Sequence, residues 1–157
     1  MMESCQYLDL DLILPKCRQL LNETGQVLIA DSFRLGATQD YKEWHILPEF
    51  RDKVNRYGLK IVYEEDITEN TVPTIELAGW VFQEYVIPIT DTLLQAILKS
   101  AEQKKGGKLV LRGVKVLLKK DLAKLQDGIY HRVPRLLNRT NFLEKARYII
   151  FRLVWDS

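Results

Sequence analysis

The 157-residue chain is poor in the residues that build the commonest inorganic and covalent scaffolds, with two cysteines and two histidines in all. A disulfide framework needs more thiols, and a zinc site needs closer ligand spacing together with histidines. Cys5 and Cys17 therefore read as reduced packing residues. No apolar run is long enough to cross a bilayer, and no basic stretch leads into a short apolar one as in a secretory leader. Together these absences predict a soluble, cytoplasmic chain without a membrane span. Net charge is also nearly missing: 23 basic and 21 acidic residues leave +2, too little for a general attraction to nucleic acid or lipid. Glycine is scarce, and no phosphate-cradling glycine loop follows a strand. Gly106-Gly107 lies in a lysine-rich turn instead.

What is present is a hydrophobic fraction of 46% with 28% charged residues, the balance of a folded globular domain rather than a disordered tract. Two segments share one grammar. Leu20 to Asp31 reads as a helix end, a tight turn at Gly25 and an apolar strand, Val27-Leu28-Ile29-Ala30, closed by an aspartate. Tyr57-Gly58-Leu59-Lys60-Ile61-Val62-Tyr63 repeats the pattern and runs into Glu64, Glu65 and Asp66. Short apolar strands that follow amphipathic helices point to an open α/β sheet.

Along the chain, Asp9 or Asp11 can cap a helix over about Leu12 to Leu21, with Pro15 in its first turn, where proline is tolerated. Leu14, Cys17, Leu20 and Leu21 share its apolar face. Gly25 fits a left-handed position after that helix, and the unbroken run after it suits a strand covered on both faces. Ser32 to Asp40 reads as a loop. Pro48 opens a helix over about Glu49 to Tyr57 that Gly58 stops, and Leu59 to Tyr63 is the next strand. Asp66 to Pro73 is Thr-rich and polar, which predicts a loop leading to a helix. Thr74 to Lys104 is helical, apolar and aromatic, and Pro88 must break or kink it. Lys108 to Lys120 mixes both periods and is assigned helix. Asp127-Gly128 marks a turn, and Ala146 to Trp155 is a terminal strand.

The order of these pieces resembles the C-terminal half of class I S-adenosylmethionine-dependent methyltransferases. Leu21-Asn22-Glu23-Thr24-Gly25-Gln26-Val27-Leu28-Ile29-Ala30-Asp31 is similar to that family's fifth-strand segment, with Glu-Thr-Gly in place of Pro-Gly-Gly. Gly58 to Val62 with Glu65 to Thr68 resembles the sixth strand and its exit, and Met1 to Asp9 the end of the fourth strand. The aromatic helices resemble the lid that small-molecule methyltransferases insert. The fold implied is α/β: a partial Rossmann-like sheet of three to four strands with the last antiparallel, residues 1–73 and 146–157 forming the sheet and 74–145 a mainly helical lid. The activity implied is methyl transfer from S-adenosylmethionine to a small-molecule or lipid-like acceptor. The donor's glycine-rich loop is not in this sequence. The resemblance therefore implies a truncated chain, inactive and without bound cofactor on its own, with a sheet edge open to association.

By the same resemblance Glu3, Ser4, Cys5 and Tyr7 lie beside the cofactor's methionine end and the acceptor; Asp31 and Arg34, after the strand at the mouth of the sheet, and Trp80 and Tyr85, as stacking aromatics, are the further candidates to bind the acceptor. Methyl transfer depends mainly on positioning, with a base only where the acceptor holds its proton tightly; His45 and Tyr7 are the weak candidates. Each has a plainer reading. Met1 to Tyr7 can be a frayed terminus, Asp31 a loop cap, Trp80 and Tyr85 core aromatics, and His131 surface packing. Glu65, Asp66 and Thr68 cluster like a hard-cation site but lack regular ligand spacing, so a solvated loop is the simpler account. The alternative function is a non-enzymatic binding module that sets the lysine-rich 99–124 segment against an acidic partner or membrane surface. Without interleaved aromatics or a recognisable motif, nucleic acid is not expected as a partner.

Overall fold

The protein is described by a computed structural model in which residues 4–22, 24–103, 124 and 126–155 are placed. The chain divides into two compact units, Met1–Pro73 with Arg139–Ser157, and Thr74–Asn138.

The first unit begins with a 3-10 turn at Cys5–Tyr7, not the strand end expected there, and helix α1 spans Leu10–Leu20. Asp9 caps α1 by accepting the Asp11 amide at 2.9 Å, which starts the helix earlier than expected. Pro15 consequently falls beyond the first turn, where its missing N–H removes one intrahelical bond. The buried stripe is Leu10 and Leu14, whereas Leu20 is 85% exposed. Gly25 is not left-handed. Its amide closes a turn on Asn22 O at 2.9 Å, and an added Cβ would stand 2.7 Å from Leu21 Cδ2 and 3.0 Å from the Asn22 carbonyl. Crowding therefore selects glycine at that position. Gly58, with φ +70°, is the left-handed residue; it follows helix α2, Leu47–Arg56, which Pro48 opens.

Three strands form one layer: β1, Val27–Arg34; β2, Leu59–Asp66; and β3, Ala146–Trp155. Their order is β1-β3-β2, and β3 runs antiparallel to both neighbours, with Ile29 opposite Phe151 and Leu59 opposite Trp155. Ser32 to Arg34 are strand, not loop, because Ala146 to Tyr148 continue the ladder opposite them. On β2 the register shifts between Ile61 and Tyr63, leaving Val62 as a bulge. Charged Lys60, Glu64, Glu65 and Asp66 line that strand, which suits an edge exposed to water.

One face of the sheet carries the core. Ile29 and Phe33 from β1, Ile149, Phe151 and Leu153 from β3, and Leu59 from β2 pack with Leu10 and Leu14 of α1 and Leu47, Phe50 and Val54 of α2. Phe33, Phe50 and Phe151 meet at centroid separations of 4.8 to 5.5 Å, within the range for aromatic pairs. On the opposite face Leu28 is 53% exposed, so the apolar run of β1 is not covered on both faces throughout. Outside the core, α1 and α2 are clasped by Asp11, whose carboxylate takes Lys53 Nζ at 2.6 Å and Tyr57 Oη at 2.9 Å. Those two hydrogen bonds hold its carboxyl below the usual range.

Asp66 to Pro73 is not a loop. The Asp66 carboxylate accepts the Thr68 amide at 2.9 Å and starts helix α3, Thr68–Val81, with Pro73 inside it. In the second unit a π-helical turn, Phe82–Val86, follows α3, and α4 runs over Ile87–Gln103 with Pro88 in its first turn. The break expected at Pro88 is thus a wide turn just ahead of it, where a missing N–H is tolerated. Asp127-Gly128 is not a turn: Gly128 opens a second π-helical segment, Gly128–Arg132, followed by α5, Val133–Leu136. Helix α6, Arg139–Lys145, returns to the first unit and enters β3. The helix assigned to Lys108–Lys120 lies outside the described residues. Among the described residues no helix is long and apolar enough to cross a membrane.

Candidate functional site

β1 and β2 point the same way, so Arg34, Asp66 and the start of β3 at Ala146 meet at one end of the sheet. In open α/β folds the space beyond carboxyl strand ends is where ligands collect. At the β1 side the 3-10 turn is tied down by two side chains, Asp31 and His45. Gln6 N–H donates to Asp31 Oδ2 at 3.1 Å, and Ser32 N–H to Asp31 Oδ1 at 2.8 Å. His45 Nε2 lies 2.9 Å from the Cys5 carbonyl and 3.1 Å from the Leu8 carbonyl. Both are acceptors, so Nε2 must carry the proton and donate. His45 thereby fastens the N-terminal segment to the loop before α2.

This placement separates the residues named from the sequence. Cys5 is fully buried in the core; burial, reinforced by the Asp31 carboxylate, pushes its thiol up to about 12. Asp31 is 1% exposed, with both carboxylate oxygens engaged by backbone amides. Neither presents an atom to solvent. Tyr7 is 74% exposed, Ser4 opens the turn, its carbonyl accepting the Tyr7 amide at 3.2 Å, and Glu3 lies outside the described residues. Trp80 and Tyr85 belong to the helical unit, half-exposed and packed edge to face at 5.5 Å. Of the lysine-rich 99–124 segment, residues 104–123 lie outside the described residues.

Two cavities flank this end of the sheet. One, of about 430 Å³, is lined by Arg34, Ala37, Thr38, Gln39 and Lys42. Arg34 lines it from the end of β1: its Nη1 donates to Thr38 O at 3.3 Å, and its buried Nε has no partner among the described residues. The loop that forms the wall is pinned by its own residues Asp40 and Tyr41. Asp40, 4% exposed, pairs with Lys145 at 2.7 Å. Tyr41, left-handed at φ 55°, stacks on Trp44 at 4.4 Å, and both rings meet Phe142 edge-on. Burial pushes the Tyr41 hydroxyl up to about 12. Sequence reasoning named Arg34 but not Lys42, which has no periodic relation to it; only the loop's curl brings them to one wall.

The other cavity, of about 440 Å³, is lined by Asp66, Thr68, Glu69, Leu143 and Arg147. The Asp66 carboxylate is already engaged, capping Thr68 and facing Arg147 Nε at 3.4 Å, and Glu69 lies 3.5 Å from Arg139 Nη2. Thr68 Oγ1, buried, accepts the Tyr148 amide at 2.9 Å. Glu65 accepts instead from the Tyr63 hydroxyl, and no three ligating side chains among the described residues group around a metal position. Glu65 and Asp66 are strand residues, not a loop.

Buried Asp31 and Cys5 offer no open carboxylate or thiol to a ligand at this end of the sheet.

No family model matches the sequence, and no curated protein matches it. Among solved structures the chain is similar to the O-methyltransferase from a trans-AT PKS multienzyme of Brevibacillus brevis, solved in complex with S-adenosyl-L-homocysteine. The TM-score is 0.49 at 13% identity, covering 98% of this chain and 42% of that one. The chain thus spans about two fifths of the protein it matches.

Proposed function

We propose that this chain is methyltransferase-like and supplies the acceptor side of methyl transfer to a small-molecule or lipid-like substrate, the donor side being absent from its sequence. One observation carries the reading. The three segments that the sequence resemblance requires in a single layer are β1, β2 and β3, and the last runs against the other two. The acceptor then meets the carboxyl end of β1, where Arg34, His45 and the exposed Tyr7 lie. His45 there is a positioning group, because its donating nitrogen is engaged by two carbonyls.

Isothermal calorimetry with S-adenosylmethionine and its demethylated product tests the reading. The chain alone gives no heat. Joined to a donor-binding half that carries a glycine-rich loop, and shown to melt cooperatively, it binds both. A cooperatively folded joined protein that takes up neither would overturn the proposal.

A further inference from the structure

The cavity at the end of β1 has an unusual charge balance. The half-buried Arg34 side chain forms no ion pair among the described residues and donates to one carbonyl there, Thr38 O at 3.3 Å. Its Nε is shielded from water with nothing to bond. Withdrawing a guanidinium from water without an anion is costly, and a donor left unmade adds to that cost. The carboxylate of the same loop, Asp40, is paired with Lys145 at 2.7 Å. The second cation on the wall, Lys42, has only a loose, exposed contact with its chain neighbour Glu43 at 3.4 Å, so its charge is available. Gln39 and Thr38 add neutral polar groups. The volume of about 430 Å³ accommodates a small organic ion.

We propose that the Arg34–Lys42 cavity binds an oxyanion, the phosphate or carboxylate of a small molecule. The Arg34 terminal nitrogens offer the two-pronged fork that matches such a group, and Lys42 closes over it as a point charge. Calling that molecule the methyl acceptor rests on the function proposed above; binding of the anion does not. The surrounding loop suits the task. Tyr41 holds a left-handed backbone that a bulky residue adopts only when its surroundings enforce it, and its stacking on Trp44 supplies that enforcement.

The test is nuclear magnetic resonance titration of the full chain with inorganic phosphate and, separately, benzoate at low salt. Saturable shifts concentrated on the amides of Ala37 to Lys42 are expected with at least one of them. Arg34→Gln should weaken binding about tenfold or more, and Lys42→Gln, at an exposed position with no structural duty, about fivefold. Vesicles of phosphatidylcholine containing phosphatidic acid separate the two sources of phosphate. Competition between vesicles and free phosphate supports the pocket, and vesicle binding without any free-anion shifts overturns it. Shifts confined to the lysine-rich 99–124 segment, or shifts indifferent to both substitutions, would also overturn it. Failure of the joined protein to take up S-adenosylmethionine would leave the anion result standing and remove only the name acceptor.

Discussion

Alkaline pH should loosen this protein through two buried groups, and the size of the effect follows from their positions. The Cys5 thiol, ordinarily near 9, is held at about 12 by burial and then by the Asp31 charge. The Tyr41 hydroxyl, ordinarily near 10, is held at about 12 by burial. Each folded value lies above its unfolded one, so each contribution is complete below the unfolded pKa and disappears as pH climbs toward the folded one. Between about pH 8 and about pH 11 the linkage relation gives a loss of about 3 kcal/mol from Cys5 and about 1 kcal/mol from Tyr41. Other groups titrate in the same range, so the measurement is a difference between variants. Cys5→Ala should remove most of its share of the alkaline loss despite a cost of about 1 kcal/mol at neutral pH, and Tyr41→Phe should remove the smaller share. Urea unfolding followed by tryptophan fluorescence at the two pH values reads both. If Cys5→Ala lost as much stability on alkalinisation as the parent, Cys5 would not be sealed beside Asp31, and the packing of the N-terminal turn on β1 would be refuted.

The remaining predictions concern the frame that holds the site. Phe151→Ala, in the middle of β3 between Phe33 and Phe50, should cost about 4 kcal/mol, whereas Phe151→Leu should cost about 1 kcal/mol by urea midpoint; equal costs would mean the aromatic cluster is loose. Gly58→Ala forces a Cβ onto a φ of +70° and should lower stability by about 1 kcal/mol, while nothing about its neighbours is crowded. Lys145→Met removes the ammonium from the buried Asp40 carboxylate and should cost about 2 kcal/mol by thermal melt, a figure reduced for the partial exposure of the lysine. Lys42→Met, on an exposed pair, should stay within about 0.5 kcal/mol.

The strands were legible because they announce themselves twice, by aliphatic runs and by the glycines that precede two of them. Their ends were not. Ser32 and Arg34 flank Phe33 with polar side chains, and the opposing residues Ala146 to Tyr148, more than a hundred positions away, make the three strand. Thr68 to Pro73 has the composition of a loop, but a single carboxylate at Asp66 satisfies the first helical amide and sets the chain turning. Gly25 and Gly58 look alike in sequence, yet one is required by a crowded side chain and the other by its dihedral angle.

The candidate site was legible residue by residue but not as a set, and strand geometry explains why. Asp31 and Arg34 look like neighbours at the mouth of one pocket if the chain beyond Asp31 is a flexible loop. Once β1 continues to Arg34, three positions of alternation put their side chains on opposite faces. Asp31 then shares the face of Ile29 and Phe33, which is the core face, and must be buried. It tolerates burial because the Gln6 and Ser32 amides satisfy its charge. Arg34 shares the face of Leu28, away from that core, and is left with its Nε unmet beside Lys42. A ligand at this end of the sheet therefore meets a cationic wall without the acidic partner that the linear sequence placed beside it. That asymmetry selects for negative charge, and it would vanish if residues 32–34 were peeled from β3.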